Sequence, residues 1–451
     1  MPATTSLWDR AYDRLFSEKP GARACDDLTD EACAATPGNF FASIAALTLT
    51  KLGDAIASPK TVLTWLLTMV GAPVAIIGWL VPVRESLSML PQIVLAGWIG
   101  RFALRKWIWI VAGFAQGAAL VGMGIAAWNL RGAPAGLVVL GCLIVFSLAR
   151  AFGSISIKDL QGKTIAKRRR GRVTGWSAAL AGGLTMLGSL VLIGPLRETT
   201  STGPFGWILF LAAALFLAGA IVFMRVREFP GETLDASGSP LDSLRQARKN
   251  LHLLAAEPGF RRFVIARALF LVSALSAPYY VVLARASGGE TSTGIGGLGW
   301  FVLAGGIADM VSSPLWGHFA DRSSRRVMMV ASGLASALGL AIFTAHQFAS
   351  AVIPTGVWPW VVAYFFLSVA HAGVRAGRKT YVVDMATGNR RTDFVSVSNT
   401  VIGLILILTG LLTPLADHFG PAWFILFLSL AGIVGIALAA GLPEVEEPDA
   451  G

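Results

Sequence analysis

Nine ionisable side chains fall inside long apolar runs of this sequence. Five are cations, Lys51, Lys60, Arg84, Arg150 and Arg267; three are acids, Asp54, Glu85 and Asp309; the ninth is His371. A charge at the centre of a bilayer costs about 3 kcal/mol or more unless it is paired or hydrated, so such residues are candidates for solute or proton chemistry. Lys51 and Asp54 lie three apart on one helical face, able to pair with each other. Arg84 and Glu85 are adjacent, about 100° apart around a helix, and must meet different partners. Arg84, just after Pro82, is a candidate for gripping an anionic group, or alternatively for a helix–helix ion pair. Arg267, His371 and Lys51 are further solute-binding candidates, with a plain packing role open for His371. Asp54, Glu85 and Asp309 are candidates for carrying a proton, because burial raises a carboxyl pKa towards neutrality and a neighbouring arginine lowers it. Five embedded cations against three acids lean towards an anionic or zwitterionic solute.

The elements that must position these groups follow from composition. The chain has 451 residues, 55% of them hydrophobic and 14% charged, with a mean hydropathy of +0.66. A soluble domain averages about 25% charged residues. Apolar runs long enough to cross a ~30 Å hydrocarbon layer as helices recur throughout, and backbone in lipid must satisfy its own hydrogen bonds. We expect an all-α membrane protein with helices at about 41–66, 72–99, 106–128, 133–157, 173–194, 204–225, 260–286, 294–318, 327–348, 354–377, 393–416 and 420–441. A polar arm (1–39) precedes a first six-helix bundle (40–225), a polar linker (226–259) joins it to a second (260–442), and an acidic tail (443–451) follows.

The net charge of +11 fits the positive-inside rule better than nucleic-acid binding. With this map, 25 lysines and arginines fall in connections on one side and only Arg131, Arg197 and Arg285 on the other, which makes both termini cytoplasmic. Arginine far outnumbers lysine, and alanine and glycine abound, which suggests a bacterial chain and hence an inner (plasma) membrane. Cys25, Cys33 and Cys142 do not have a metal spacing; the expectation is reduced cysteines. No cofactor is expected.

The halves repeat. Gly97–Lys106 (GWIGRFALRK) lies 220 residues before Gly317–Arg326 (GHFADRSSRR), and Ala57-Ser58-Pro59 parallels Ser276-Ala277-Pro278. GHFADRSSRR, between the second and third helices of its half, resembles the signature loop of the major facilitator superfamily: Gly, three residues, Asp, a base, any residue, Gly, two bases. Gly317, Asp321, Arg322, Arg325 and Arg326 match, and Ser324 replaces the second Gly. The resemblance covers roughly 40–442 and implies twelve spans in two pseudo-symmetric six-helix bundles. It also implies alternating access, a solute site between the first, fourth, seventh and tenth helices, and a conformational latch in which Asp321 pairs with nearby arginines. Simple cytoplasmic anchoring is the alternative for these bases. Arg101 stands where the first copy needs its Asp, so a latch there should be weaker. The stretch around Arg150 (LARAFG) faintly resembles a family motif whose Arg is linked to proton coupling, although its Gln is missing. The fifth helix (181–195) lacks the full Gly/Pro spacing of drug–proton antiporters.

Other signatures fail in context. Gly294–Gly299 matches GxGxxG, but without a preceding strand it implies close packing at the start of a helix rather than a dinucleotide site. Ile157 occupies the first Gly position of the nucleotide loop that Gly162-Lys163-Thr164 would end, so an ATP-driven pump is excluded. No metal or catalytic constellation occurs, and the chain is not expected to be an enzyme. Gly113 and Gly117 have the spacing of close helix contacts. The resulting expectation is a monomeric secondary transporter of a small solute, coupled to protons and working in the lipid bilayer. A non-transporting solute sensor of the same fold and a multidrug exporter are the alternatives.

Overall fold

The computed structural model describes residues 7–16, 28–230, 251–288, 294–348, 356–385 and 391–445, and these segments are helical without strands. Among the described residues, ten helices are long and apolar enough to cross a bilayer. One of them, Ile295–Phe348, has 54 residues, which at 1.5 Å per residue is about 80 Å and far exceeds the hydrocarbon thickness. Extended backbone at Ser323 (φ −162°, ψ 96°) divides it into the eighth and ninth spans, within GHFADRSSRR. The second span is not one helix but three, Val74–Gly78, Leu80–Met89 and Gln92–Ile99. Pro73, Pro82 and Pro91 lie along this stretch, and a proline removes a backbone donor and crowds the preceding turn. With it, the described residues form twelve membrane spans in two bundles of six.

The first span is also interrupted. Asp30–Ile56 and Val62–Met69 are separated at Pro59, and the seventh repeats the device with Pro258–Leu269, Val272–Leu275 and Ala277–Ala286 around Pro278. The remaining spans are Lys106–Asn129, Gly132–Thr164, Lys167–Ile193, Gly203–Phe223, Trp358–Asp384, Arg391–Gly410 with Pro414–Phe419, and Pro421–Ala440. In the first bundle the third and sixth spans approach closely at glycine: a Cβ on Gly113 would lie 3.1 Å from that of Ala220, and one on Gly117 2.9 Å from Leu217. The fifth span turns Leu180, Leu184, Leu187, Leu190 and Val191 outwards, an apolar face suited to lipid.

The polar arm differs from expectation. The first span begins at Asp30, where the Thr29 side chain accepts the Ala32 N–H and Asp30 and Glu31 fill the first turn, an N-terminal signature strong enough to start a helix well before the apolar run. Leu7–Phe16 is a separate helix docked on the bundle. Its Tyr12 and Phe16 rings pack on Phe40, and the guanidinium carbons of Arg169 and Arg172 lie 4.0 and 4.8 Å from the Phe16 ring centre. Cys33 is disulfide-bonded rather than reduced; Cys142 is free. Cys25, linker residues 231–250 and tail residues 446–451 lie outside the described residues.

On the face away from the termini the bundles are joined. Ala75 N–H donates to Asp417 at 3.0 Å and Thr413 Oγ donates to the Ala75 carbonyl at 2.9 Å. Ile295 and Gly296 N–H groups donate to the Thr199 and Arg197 carbonyls at 3.0 and 3.2 Å. Trp65, fully buried, lies between Phe301 and the Arg285 guanidinium. Nearer the termini, a cavity of about 1040 Å³ lies between Gly175–Met186 of the fifth span and Phe301–Pro314 of the eighth.

Candidate functional site

The embedded charges sort into three groups. Within the first bundle, Asp54 is held by two guanidinium groups: Arg84 donates to Oδ1 at 2.6 Å and Arg150 approaches Oδ2 at 3.2 Å. Arg84 also donates to Ser88 Oγ at 2.9 Å and lies 5.1 Å from the Phe146 ring centre. Both Asp54 oxygens are therefore occupied, and Lys51 does not pair with it, contrary to the expectation from spacing. Lys51 instead crosses to the fifth span, donating to the Thr174 carbonyl at 3.0 Å and Ser177 Oγ at 2.7 Å. A planar fork fits a carboxylate better than an ammonium does. Arg84 thus joins the first, second and fourth spans, and it lines neither of the cavities described here.

The second group lines a pocket of about 220 Å³ between the bundles. The interruption at Pro59 brings Lys60 to it from the first span, and Glu85, turned away from Arg84, reaches it from the second. The seventh span contributes Arg267 and Ser273, and the tenth contributes His371, Arg375 and Arg378. These last three recur at four and three residues, so they share one helical face. Arg267 is buried, donating to Ser398 Oγ at 2.5 Å and Asn399 Oδ1 at 2.9 Å. Lys60 Nζ lies 3.0 Å from His371 Nε2, and His371 Nδ1 lies 3.2 Å from Ser273 Oγ. With Lys60 as an ammonium, which only donates, Nε2 is the acceptor, the imidazole is neutral, and its proton on Nδ1 faces Ser273. Arg375 meets Asp309 of the eighth span at 3.2 Å, and both also line the larger cavity with Lys51.

Of the solute candidates read from sequence, Arg267 and His371 therefore share the small pocket, Lys51 lines the larger cavity, and Arg84 lies outside both. Among the acids, Glu85 lines the small pocket, Asp309 the larger cavity, and Asp54 neither. The fourth span contributes Arg150 only through Asp54. Sequence reasoning flags Lys60 as an embedded charge without giving it a role, and misses Arg375 and Arg378 as site residues. Both count among the bases at the cytoplasmic end of the expected tenth span (354–377), whereas the helix continues to Asp384 and carries them on the pocket face. The stripe of His371, Arg375 and Arg378 was the signal available.

The third group is at the face bearing the termini. Asp321 and Arg322 are exposed, and Asp321 makes no ion pair among the described residues. The carboxylate that meets this turn is Glu444, just past the last span. It accepts from Ser323 Oγ at 2.8 Å and Arg325 at 2.7 Å, and lies 3.4 Å from Arg326. Arg325 also donates to the Leu442 carbonyl at 2.6 Å, and Tyr381 Oη to that of Pro443 at 3.0 Å. Gly317 sits in the helix before the turn, with open space on its Cα. The first bundle has a counterpart. Glu228, just past the sixth span, accepts the N–H groups of Arg105 and Lys106 at 3.0 and 2.8 Å, and Arg105 and Lys163 both pair with Asp159. Two N–H groups at the start of the third span are an anion site by geometry. The first copy is thus also clamped, despite Arg101.

The family model of the Major Facilitator Superfamily matches residues 265–451. The D-xylose-proton symporter has a similar structure over 90% of this chain and 98% of its own, with 12% identity and a TM-score of 0.66. An inward open conformation of the xylose transporter XylE from E. coli matches over 90% and 96%, with 11% identity and a TM-score of 0.63. A point mutant of the nucleoside transporter NupG matches over 89% and 99%, with 13% identity and a TM-score of 0.61. No curated protein matches the chain by sequence. The fold defines a multi-pass, twelve-span membrane protein of the major facilitator type. The family match lies over its second bundle.

Proposed function

We propose that the chain is a secondary active transporter that carries a small anionic or zwitterionic solute by alternating access between its two bundles. The carrying observation is the charged pocket at the seam, walled by the first, second, seventh, tenth and eleventh spans and joined off from the face away from the termini. The basic face is cytoplasmic in this reading, with both termini inside a bacterial inner membrane, the protein monomeric, and the conformation open inwards. Residues 40–225 and 260–442 are the rocking units, and Glu228 and Glu444 fasten the inner ends of each.

Proton coupling belongs to the same proposal, and geometry ranks its candidates. Asp54 has both oxygens on guanidinium groups, so a proton there must displace one. Asp309 is held by Arg375. Glu85 has no ion pair within salt-bridge distance among the described residues and lines the pocket itself, which makes it the proton carrier of choice. Arg150 acts through Asp54. The test is uptake into proteoliposomes with an imposed pH gradient. Wild-type accumulation should follow the gradient, and Glu85→Gln should retain exchange while losing accumulation. Accumulation indifferent to the gradient in the wild type would sink the coupling.

A further inference from the structure

Resting on the transporter reading, we infer that the solute is a compact organic dianion, held by Lys60, Arg267 and Arg378 opposite Glu85. Charge balance carries the inference. Arg375 is already matched to Asp309. Lys60 meets only a neutral imidazole among the described residues. Arg267 is bonded to a hydroxyl and an amide oxygen, and its Nε is buried without a hydrogen-bond partner. Arg378 makes no hydrogen bond or ion pair among the described residues and lines the same pocket. Against these three cations the pocket wall offers one carboxylate, Glu85. The surplus is two positive charges in a place where unmatched charge is costly. A solute carrying two negative charges removes it, whereas a neutral sugar leaves it and a cation adds to it.

The geometry narrows the class further. The cations come from the first, seventh and tenth spans, so they approach from both bundles. Lys60 and Arg378 both interact electrostatically with Glu85, and Arg267 with Arg378. A molecule with an anionic group at each end can meet Lys60 of one bundle and the guanidinium groups of the other at once. The pocket of about 220 Å³ has room for roughly seven groups of water size. A four-carbon dicarboxylate and a three-carbon phosphate monoester both have that scale and charge.

The experiment measures binding to the purified full chain with succinate, glycerol 3-phosphate, monomethyl succinate and D-xylose. Succinate or glycerol 3-phosphate should bind at least about tenfold tighter than monomethyl succinate, a difference of one decade in Kd, and D-xylose should not compete; which of the two binds names the dicarboxylate or the phosphate source. Arg378→Gln should weaken the dianion by about a decade, Arg378→Lys should weaken it less, and Arg378→Gln with Glu85→Gln should recover part of the loss because the surplus of two is restored. Equal binding of the monoester, binding of neither dianion, or a double variant no better than Arg378→Gln would overturn the inference. Uptake by proteoliposomes separates this from the transport reading. Dianion binding without flux sinks transport alone, and flux of D-xylose without dianion binding sinks the dianion alone.

Discussion

Glu228 and Glu444 occupy equivalent places in the two bundles: each lies just past its bundle's last span and folds back onto the start of that bundle's third helix. One accepts the N–H groups of Arg105 and Lys106, the other the Ser323 hydroxyl and the Arg325 guanidinium. The Glu228 side chain is fully buried. Glu228→Gln should lower stability by about 1.5–3 kcal/mol, the worth of hydrogen bonds to a charged group, read as a fall in Tm. Glu444→Gln should shift the conformational balance more than Asp321→Asn, since Asp321 faces solvent. The opposite order in an accessibility assay would return the latch to Asp321.

The Glu444 clamp should not respond to physiological pH. Burial pushes its carboxyl up, but the Ser323 and Arg325 hydrogen bonds and the charges of Arg325 and Arg326 outweigh this and hold it below its ordinary value of 4.5. A depressed carboxylate contributes stability that is fully present above the unfolded pKa and is lost as pH falls through the folded one. The mobility of a spin label attached at position 445 should stay constant from about pH 8 to pH 5 and rise only in stronger acid. A rise centred near neutrality would contradict the clamp.

Asp54→Asn should be among the most damaging single substitutions in the first bundle. It leaves the buried Arg84 and the partly exposed Arg150 without their shared counter-ion, and breaking a buried pair costs about 3–5 kcal/mol, less here to the extent that Arg150 reaches water. Lys51→Met removes hydrogen bonds to Thr174 and Ser177 only and should cost about 1 kcal/mol. Thermal unfolding of the two variants compares them directly, and equal Tm values would remove Asp54 from its structural role.

Lys60 and His371 join different bundles at 3.0 Å, so cysteines at the two positions should be linked by a short bifunctional reagent. A solute held in the pocket by the remaining Arg267 and Arg378 should slow that reaction. A rate unaffected by saturating solute would place the binding site elsewhere.

The twelve spans were legible because hydrocarbon thickness forces long apolar runs. The charges were legible as functional candidates but not as partners. Spacing suggested Lys51 with Asp54, yet Arg84 and Arg150, remote in sequence, meet that carboxylate through the packing of three spans. Arg375 and Arg378 were not legible as site residues because bases near the cytoplasmic end of a span count as anchors, a rule that holds against lipid and fails against a cavity. Glu228 and Glu444 sit more than a hundred residues from the groups they clamp, and no local pattern marks such a return.

The glycines of Gly294, Gly296 and Gly299 have the letters of a nucleotide-binding loop and a different meaning. A Cβ on Gly296 would lie 2.9 Å from that of Arg197, one on Gly299 2.8 Å from Ile193, and one on Gly294 would strike the Arg197 carbonyl. Here the missing side chains set how near two helices of opposite bundles can come. A saturation-mutagenesis map would find all three sites intolerant, in the rhythm of a cofactor motif, while recording only how closely the two bundles meet.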